Sequence, residues 1–185
     1  METQASWGRT WMRDIDLAHE GSMTDVRIAT KNTYLQAFHF RLISRILTTN
    51  RFLFLKGRSE NSFCTFCQGD CETLIHLFWL CPRVQVFIRS LEMKLKSKCD
   101  SRLKFNEKMW FFPILENLSQ LEVLIITVAK LVIYKARSRN QQPTVDHFLH
   151  MLRLEAGKEI GSAKAGGSLA AFDEKWGNVK SILDV

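Results

Sequence analysis

Cys64, Cys67, His76 and Cys81 follow one another in the order C-x2-C-x8-H-x4-C. Three thiolates and one imidazole are the donors that close a tetrahedral shell around a single zinc ion. Two cysteines separated by two residues can turn back and present both sulfurs to one cation, and Gly69 just after them reads as the residue that opens the turn without a Cβ clash. The second half-site reads as a short helix from Glu72 to Leu80, with Glu72 at its positive N-terminal end. On an unbroken α-helix, positions 76 and 81 would point about 140° apart. Pro82 disfavours α geometry at Cys81, so the helix is expected to stop there and let Cys81 swing toward the metal beside His76.

Two other readings compete for the same residues. Cysteines of a reducing compartment pack as small buried hydrophobes, and Cys64-x-x-Cys67 has the spacing of a redox pair. No strand and helix of the thioredoxin kind precede the pair, however, and a placed histidine and cysteine follow it. Four protein ligands leave no open position for a water, so the expected ion is one structural Zn2+ rather than a catalytic one. Cys71 lies between the half-sites with a poorer spacing and Cys99 stands alone in a Lys-rich run, and both are read as non-ligands.

The elements that must position these ligands are helical. Leu35, Phe38, Leu42 and Ile46 recur at helical spacing within Lys31 to Leu47, with Phe40, Ile43 and Leu47 widening the stripe and Arg41 and Arg45 on an outward face. Arg51 to Arg58 is a short amphipathic piece ended by Gly57. Val84, Phe87, Leu91 and Leu95 make the buried row of a helix that begins at Pro82 and carries Arg83, Arg89, Lys94, Lys96 and Lys98. A long apolar helix is expected from about Leu115 to Arg139, and another after Pro143 with Val145, Phe148, Leu149, Leu152 and Ala156 on one side. Glycines from Gly157 to Gly167 lower helix propensity by roughly 1 kcal/mol each, so that tail is expected to be loosely held.

The fold class expected is mainly α, a helical bundle with a small Cys-Cys-His-Cys zinc module inserted between helices. The divisions are an N-terminal helical segment over 1–58, the zinc-binding module over 59–82, a helical bundle over 83–156 and a Gly-rich tail over 157–185. At 185 residues and 46% hydrophobic the chain can bury a substantial core. Its net charge of +7 favours a polyanionic partner. Five cysteines, the zinc pattern and the lack of a signal peptide at Met1-Glu2-Thr3-Gln4 argue for an intracellular protein, in nucleus or cytoplasm. The longest apolar run, Leu121 to Tyr134, falls short of the roughly 20 residues a bilayer requires.

The run Lys31-Asn32-Thr33-Tyr34-Leu35-Gln36-Ala37-Phe38-His39-Phe40-Arg41, then Ile46 to Leu53, then Cys-x2-Cys with Glu72-Thr73-Leu74-Ile75-His76-Leu77-Phe78-Trp79-Leu80-Cys81-Pro82, resembles the C-terminal region of LINE-type non-LTR retrotransposon reverse transcriptase polyproteins. The resemblance extends through Ala129-Lys130, Ile133-Tyr134-Lys135 and Phe172-Asp173-Glu174-Lys175-Trp176, from about Trp11 onward. Cys71 departs from it, as do Gly161, Gly166 and Gly167 in a tail that looks helical in relatives. The resemblance implies a segment downstream of the polymerase palm that binds the element's RNA and target DNA, with the zinc module as a contacting or architectural part.

A polymerase needs paired metal-binding carboxylates, commonly announced by Tyr-x-Asp-Asp. Tyr34 and Tyr134 open Tyr-Leu-Gln-Ala and Tyr-Lys-Ala-Arg instead, and Asp14 and Asp16 lack a third carboxylate nearby. No enzyme activity is therefore expected. The expected partner is nucleic acid, RNA ahead of DNA, with no membrane and no small-molecule substrate, contacted by Arg41, Arg45, Arg51, Arg58, Arg83, Arg89, Lys94, Lys96 and Lys98. A purely structural or protein-interaction module, or a decayed retroelement remnant, is the alternative that the same residues leave open.

Overall fold

Polar caps at the starts and left-handed residues at the ends punctuate the apolar rows into separate helices. A computed structural model describes residues 15–99, 103–113, 116–166 and 168–179. The elements are α1 (Ile15–Ala29), α2 (Thr33–Ile43), α3 (Asn50–Leu55), a π-helical turn (His76–Leu80), α4 (Pro82–Cys99), α5 (Glu107–Phe111), α6 (Gln120–Ser138), α7 (Val145–Gly166), α8 (Leu169–Trp176) and a 3-10 turn (Gly177–Val179). Among the described residues β pairing is confined to one isolated bridge, Phe63 with Cys71, so the architecture is a helical bundle with a small Cys and His module between helices. Trp7, Trp11, Asp14 and Arg102, and the side chains of Asp16, Lys98 and Cys99, lie outside the described residues.

The long apolar helix forms the axis of the bundle. It begins later than its hydrophobicity suggests, because Ser119 and Glu122 build a reciprocal cap in which each side chain accepts from the other's backbone N–H. Residues 123 to 133 are all buried, as an axis surrounded by α1, α2, α7, α8 and the π turn requires. Phe38 of α2, Phe78 of the π turn and Tyr134 of α6 meet with ring centroids 5.9 to 6.4 Å apart, so the metal-module side of the bundle is anchored by aromatic contacts.

Three local expectations are corrected. The helix expected over Lys31 to Leu47 ends at Ile43. Arg45 takes the left-handed conformation (φ 60°), its N–H bonds Leu42 O at 3.0 Å and that of Ile46 bonds Arg41 O at 3.0 Å, the two hydrogen bonds of a Schellman stop. Glycine usually holds that position, and its absence hid the stop. Ile46 is consequently exposed and Arg45 leaves the face that Arg41 occupies, while Phe40, within the helix, is exposed rather than part of the stripe. The helix after Pro143 does not fade at Ala156 but continues through Gly157 and Gly161 to Gly166. A glycine penalty of about 1 kcal/mol is small beside the burial of Phe148, Leu152 and Ala156 and the packing of Ile160 and Ala163.

The third concerns Lys130, since a cation near the end of a helix, like Lys135, Arg137 and Arg139, is expected to face water and the negative helix end or a phosphate. Lys130 is fully buried. Its Nζ lies 3.5 Å from His39 Nδ1, whose Nε2 lies 2.9 Å from Ser22 Oγ, and both of those residues are buried too. With the lysine donating to Nδ1, the ring carries its proton on Nε2 and donates to the serine.

Desolvation lowers the Lys130 ammonium to about 7, whereas an unfolded lysine titrates near 10.4. Between these values the unfolded chain binds the extra proton, so folding stability falls as pH drops through this window and levels off below about 7. Lys130→Met is expected to raise stability at pH 7, by removing the cost of burying the ammonium, and to flatten the dependence between pH 7 and 9. Urea melts at both pH values measure this, and a variant that is less stable at pH 7 would contradict it.

Candidate metal centre

A knuckle of chain from Ser62 to Glu72 delivers the first two ligands. Glu72 N–H donates to Ser62 O at 2.7 Å and Cys64 N–H donates to Asp70 O at 2.8 Å, which closes the knuckle like a hairpin, while Gln68 N–H donates back to Cys64 O at 2.9 Å. The left-handed residue of this turn is Gln68 (φ 58°) and not Gly69. A Cβ on Gly69 would meet nothing nearer than Cys67 O at 3.8 Å, so the role expected of Gly69 belongs to its neighbour.

The second pair arrives by a different device from the one expected. The chain does not form an α-helix that simply stops at Pro82. It winds one π turn, closed by Cys81 N–H donating to His76 O at 2.8 Å. In an i to i+5 turn, residues five apart lie about one turn apart and nearly above one another. The 140° separation of an α-helix therefore collapses before Pro82 acts. Leu77 and Phe78, both fully buried, fix the turn against the core. Pro82 then holds Cys81 extended (φ −62°, ψ 124°) and opens α4.

The four donor atoms, one from each of Cys64, Cys67, His76 and Cys81, lie within 4.8 Å of one another. Cys64 Sγ to Cys81 Sγ is 3.8 Å and Cys67 Sγ to His76 Nε2 is 3.3 Å. A tetrahedron with metal to sulfur bonds of about 2.3 Å and metal to nitrogen bonds of about 2.0–2.1 Å has edges of about 3.8 Å between sulfurs and about 3.6 Å between sulfur and nitrogen. The cluster can therefore hold one metal ion. Cys71 is engaged in the bridge to Phe63 and stands outside it.

The electrostatics favour thiolates at Cys81 and Cys67 but a protonated Cys64. The Cys64 thiol donates to Cys81, and His76 and the backbone N–H groups of Val84 and Arg83 at the start of α4 add to this, bringing Cys81 down to about 4 against the opposing effect of burial. Cys64 is pushed up correspondingly, by that hydrogen bond and by burial. Without a metal the two sulfurs share one proton, and an ion would take that proton's place. Burial pushes Cys67 up, but the backbone N–H groups of Gly69 and Asp70 together with His76 and Cys64 outweigh it and leave the thiol lowered. His76 is raised by its hydrogen bond to Cys81, and then by Cys67, against desolvation. Asp70, itself exposed, has its Oδ2 3.8 Å from His76 Nδ1, beyond direct hydrogen-bond distance and on the side of the ring away from Cys67.

Glu72 was read as a charge at a helix start, and the structure gives it another role. Its fully buried carboxylate accepts from Asn50 N–H at 2.8 Å, Thr65 N–H and Oγ1 at 2.7 Å each, and Arg137 Nε at 2.8 Å. Arg137 also donates to Asn50 Oδ1 at 2.8 Å. One side chain thus joins the knuckle, the start of α3 and the end of α6. Nothing local announced this, since Asn50 and Arg137 stand 22 and 65 residues away.

The cations assigned to nucleic acid separate into two groups. Arg41 at the end of α2, Arg45 in the loop after it, and Arg51 and Arg58 in and after α3 are exposed, and Arg83, Arg89 and Lys96 are exposed along α4, with Lys94 half-buried; Lys98 falls outside the described side chains. The row expected to face inward from α4, Val84, Phe87, Leu91 and Leu95, is buried with Ile88. No helix among the described residues is long and apolar enough to cross a membrane. No protein-family model matches the chain, and no curated protein matches it.

Proposed function

We propose that this chain is a zinc-stabilised nucleic-acid-binding module without an enzymatic centre of its own, of the kind found at the C-terminal end of LINE-type reverse transcriptases. The observation that carries the reading is the joining of a cluster able to bind one metal to two sets of exposed cations. Cys81 is both a donor of that cluster and the residue from which α4 starts, so the ion orients the helix bearing Arg83, Arg89 and Lys96. The knuckle in turn fixes α3 through Glu72 and Asn50. Zinc is the ion favoured, because a Cys3His tetrahedron with no open position suits it and suits a structural role. A polyanion, RNA ahead of DNA, is the partner that neutralises these faces.

The test is a salt titration of binding to single-stranded RNA. If four to six phosphates are neutralised, log K against log salt falls with a slope of about −3 to −4. Reversing Arg89, Lys94 and Lys96 to glutamate is expected to weaken binding at least tenfold at about 0.1 M salt while the fold and metal content stay unchanged. A flat salt response, or binding untouched by the reversals, would instead favour a module in which the metal pins helices and the charged faces are only solvated.

A further inference from the structure

The segment from Arg41 to Arg58 carries five cations and no carboxylate, and its helix α3 buries none of its residues. Phe52 is 47% exposed, Phe54 48% and Leu55 69%. Such a cluster of large apolar groups on one short helix marks a surface that something covers. Beside α3 lies a groove of about 340 Å³, with Leu47, Phe52, Leu55, Leu74 and Ile75 among its apolar lining and with Arg45 and Arg51 contributing charge. Thr73, Leu74 and Ile75 run straight into His76, so one wall is the chain that carries a metal ligand.

We infer that this groove is a seat for unpaired bases, and that the module prefers single strands to duplex. This rests on the nucleic-acid reading above and deepens it. An apolar floor with an exposed phenyl ring receives the face of a base lifted out of a stack, and arginines beside it take the flanking phosphates. Lys56 already sits over the Phe52 ring, its Nζ 5.9 Å from the centroid, so positive charge accompanies the aromatic surface. Two arginines alone would also suit an acidic peptide. Five cations strung through eighteen residues with no acid between them suit a ligand that repeats its charge at every unit. Duplex bases are stacked inside their helix and cannot reach a concave floor of this size.

Fluorescence anisotropy with labelled U12, (dT)12 and a 12-base-pair RNA duplex at about 0.1 M salt tests this, on the full chain with metal bound. U12 or (dT)12 is expected to bind at least tenfold tighter than duplex, and the ratio of those two separates RNA from DNA. Phe52→Ala and Leu55→Asp alter exposed side chains. Each is expected to weaken single-strand binding roughly 5- to 150-fold, the range for removing one stacked base, with unchanged circular dichroism and metal content.

Single strands bound equally by wild type and both variants would overturn the groove assignment while leaving nucleic-acid binding in place. Duplex bound as tightly as U12 would do the same. Binding of none of the three oligonucleotides would remove both readings. An acidic amphipathic peptide that binds the groove and loses affinity in Leu55→Asp, where U12 does not, would overturn the assignment in favour of a protein partner.

Discussion

Purified chain is expected to carry close to one equivalent of zinc, and stripping it with a chelator is expected to unfold at least the knuckle, the π turn and the docking of α4. The magnitude follows from comparing two free energies. Apparent zinc binding in small modules contributes about 10–16 kcal/mol, while a domain of ordinary size has about 5–15 kcal/mol of stability altogether. Apart from the buried Cys64 and Phe66, residues 62–72 are ordered by one isolated bridge, a few turn hydrogen bonds and the Glu72 network, so an ion supplies much of what holds their shape. Removal would also leave Cys64 and Cys81 as a buried pair with one proton between them.

Cys81→Ala should behave like chelation, losing the metal and lowering the melting temperature in circular dichroism. Cys71→Ser should keep both, because Cys71 lies outside the cluster. Less than about half an equivalent of zinc by elemental analysis would remove the basis for the ligand assignment, and loss of zinc in Cys71→Ser would reassign it.

Glu72→Ala is expected to destabilise the protein by about 3–5 kcal/mol, the range for breaking a buried ion pair from one side. The substitution strands Arg137, whose side chain is 11% exposed, and orphans the N–H groups of Asn50 and Thr65. Adding Arg137→Met should recover part of the loss, since the uncompensated charge is then gone, and the double variant should fall short of the sum of the singles. Urea unfolding of the four proteins measures this coupling. A loss under about 1 kcal/mol for Glu72→Ala would mean that the network is incidental.

The four donors of the metal cluster were legible because ligand chemistry restricts residue type and spacing so tightly that Cys64, Cys67, His76 and Cys81 stand out in one dimension. The buried row of α4 was legible for a similar reason, because 3.6-residue periodicity is written in local sequence. The end of α2 was not, since its left-handed residue is an arginine. The continuation of α7 was not either, since packing of neighbouring helices overrode the glycines.

Arg41, Arg51, Arg83, Arg89 and Lys96 are exposed as their helical spacing implies, but the fate of the cations on α6 was beyond local reading. Lys130, Arg137 and Arg139 lie within one stretch of sequence, yet the first is sealed beside His39, the second is bound to Glu72 and the third is exposed. Residue types and spacing alone specified a helical chain and the four atoms able to share one ion, because both follow from chemistry that acts over a few residues. Tertiary structure alone decided which cations of α6 face water, which turn aligns His76 with Cys81 and which carboxylate locks the knuckle. Burial and long-range hydrogen bonds are properties of neighbours that the linear order does not name.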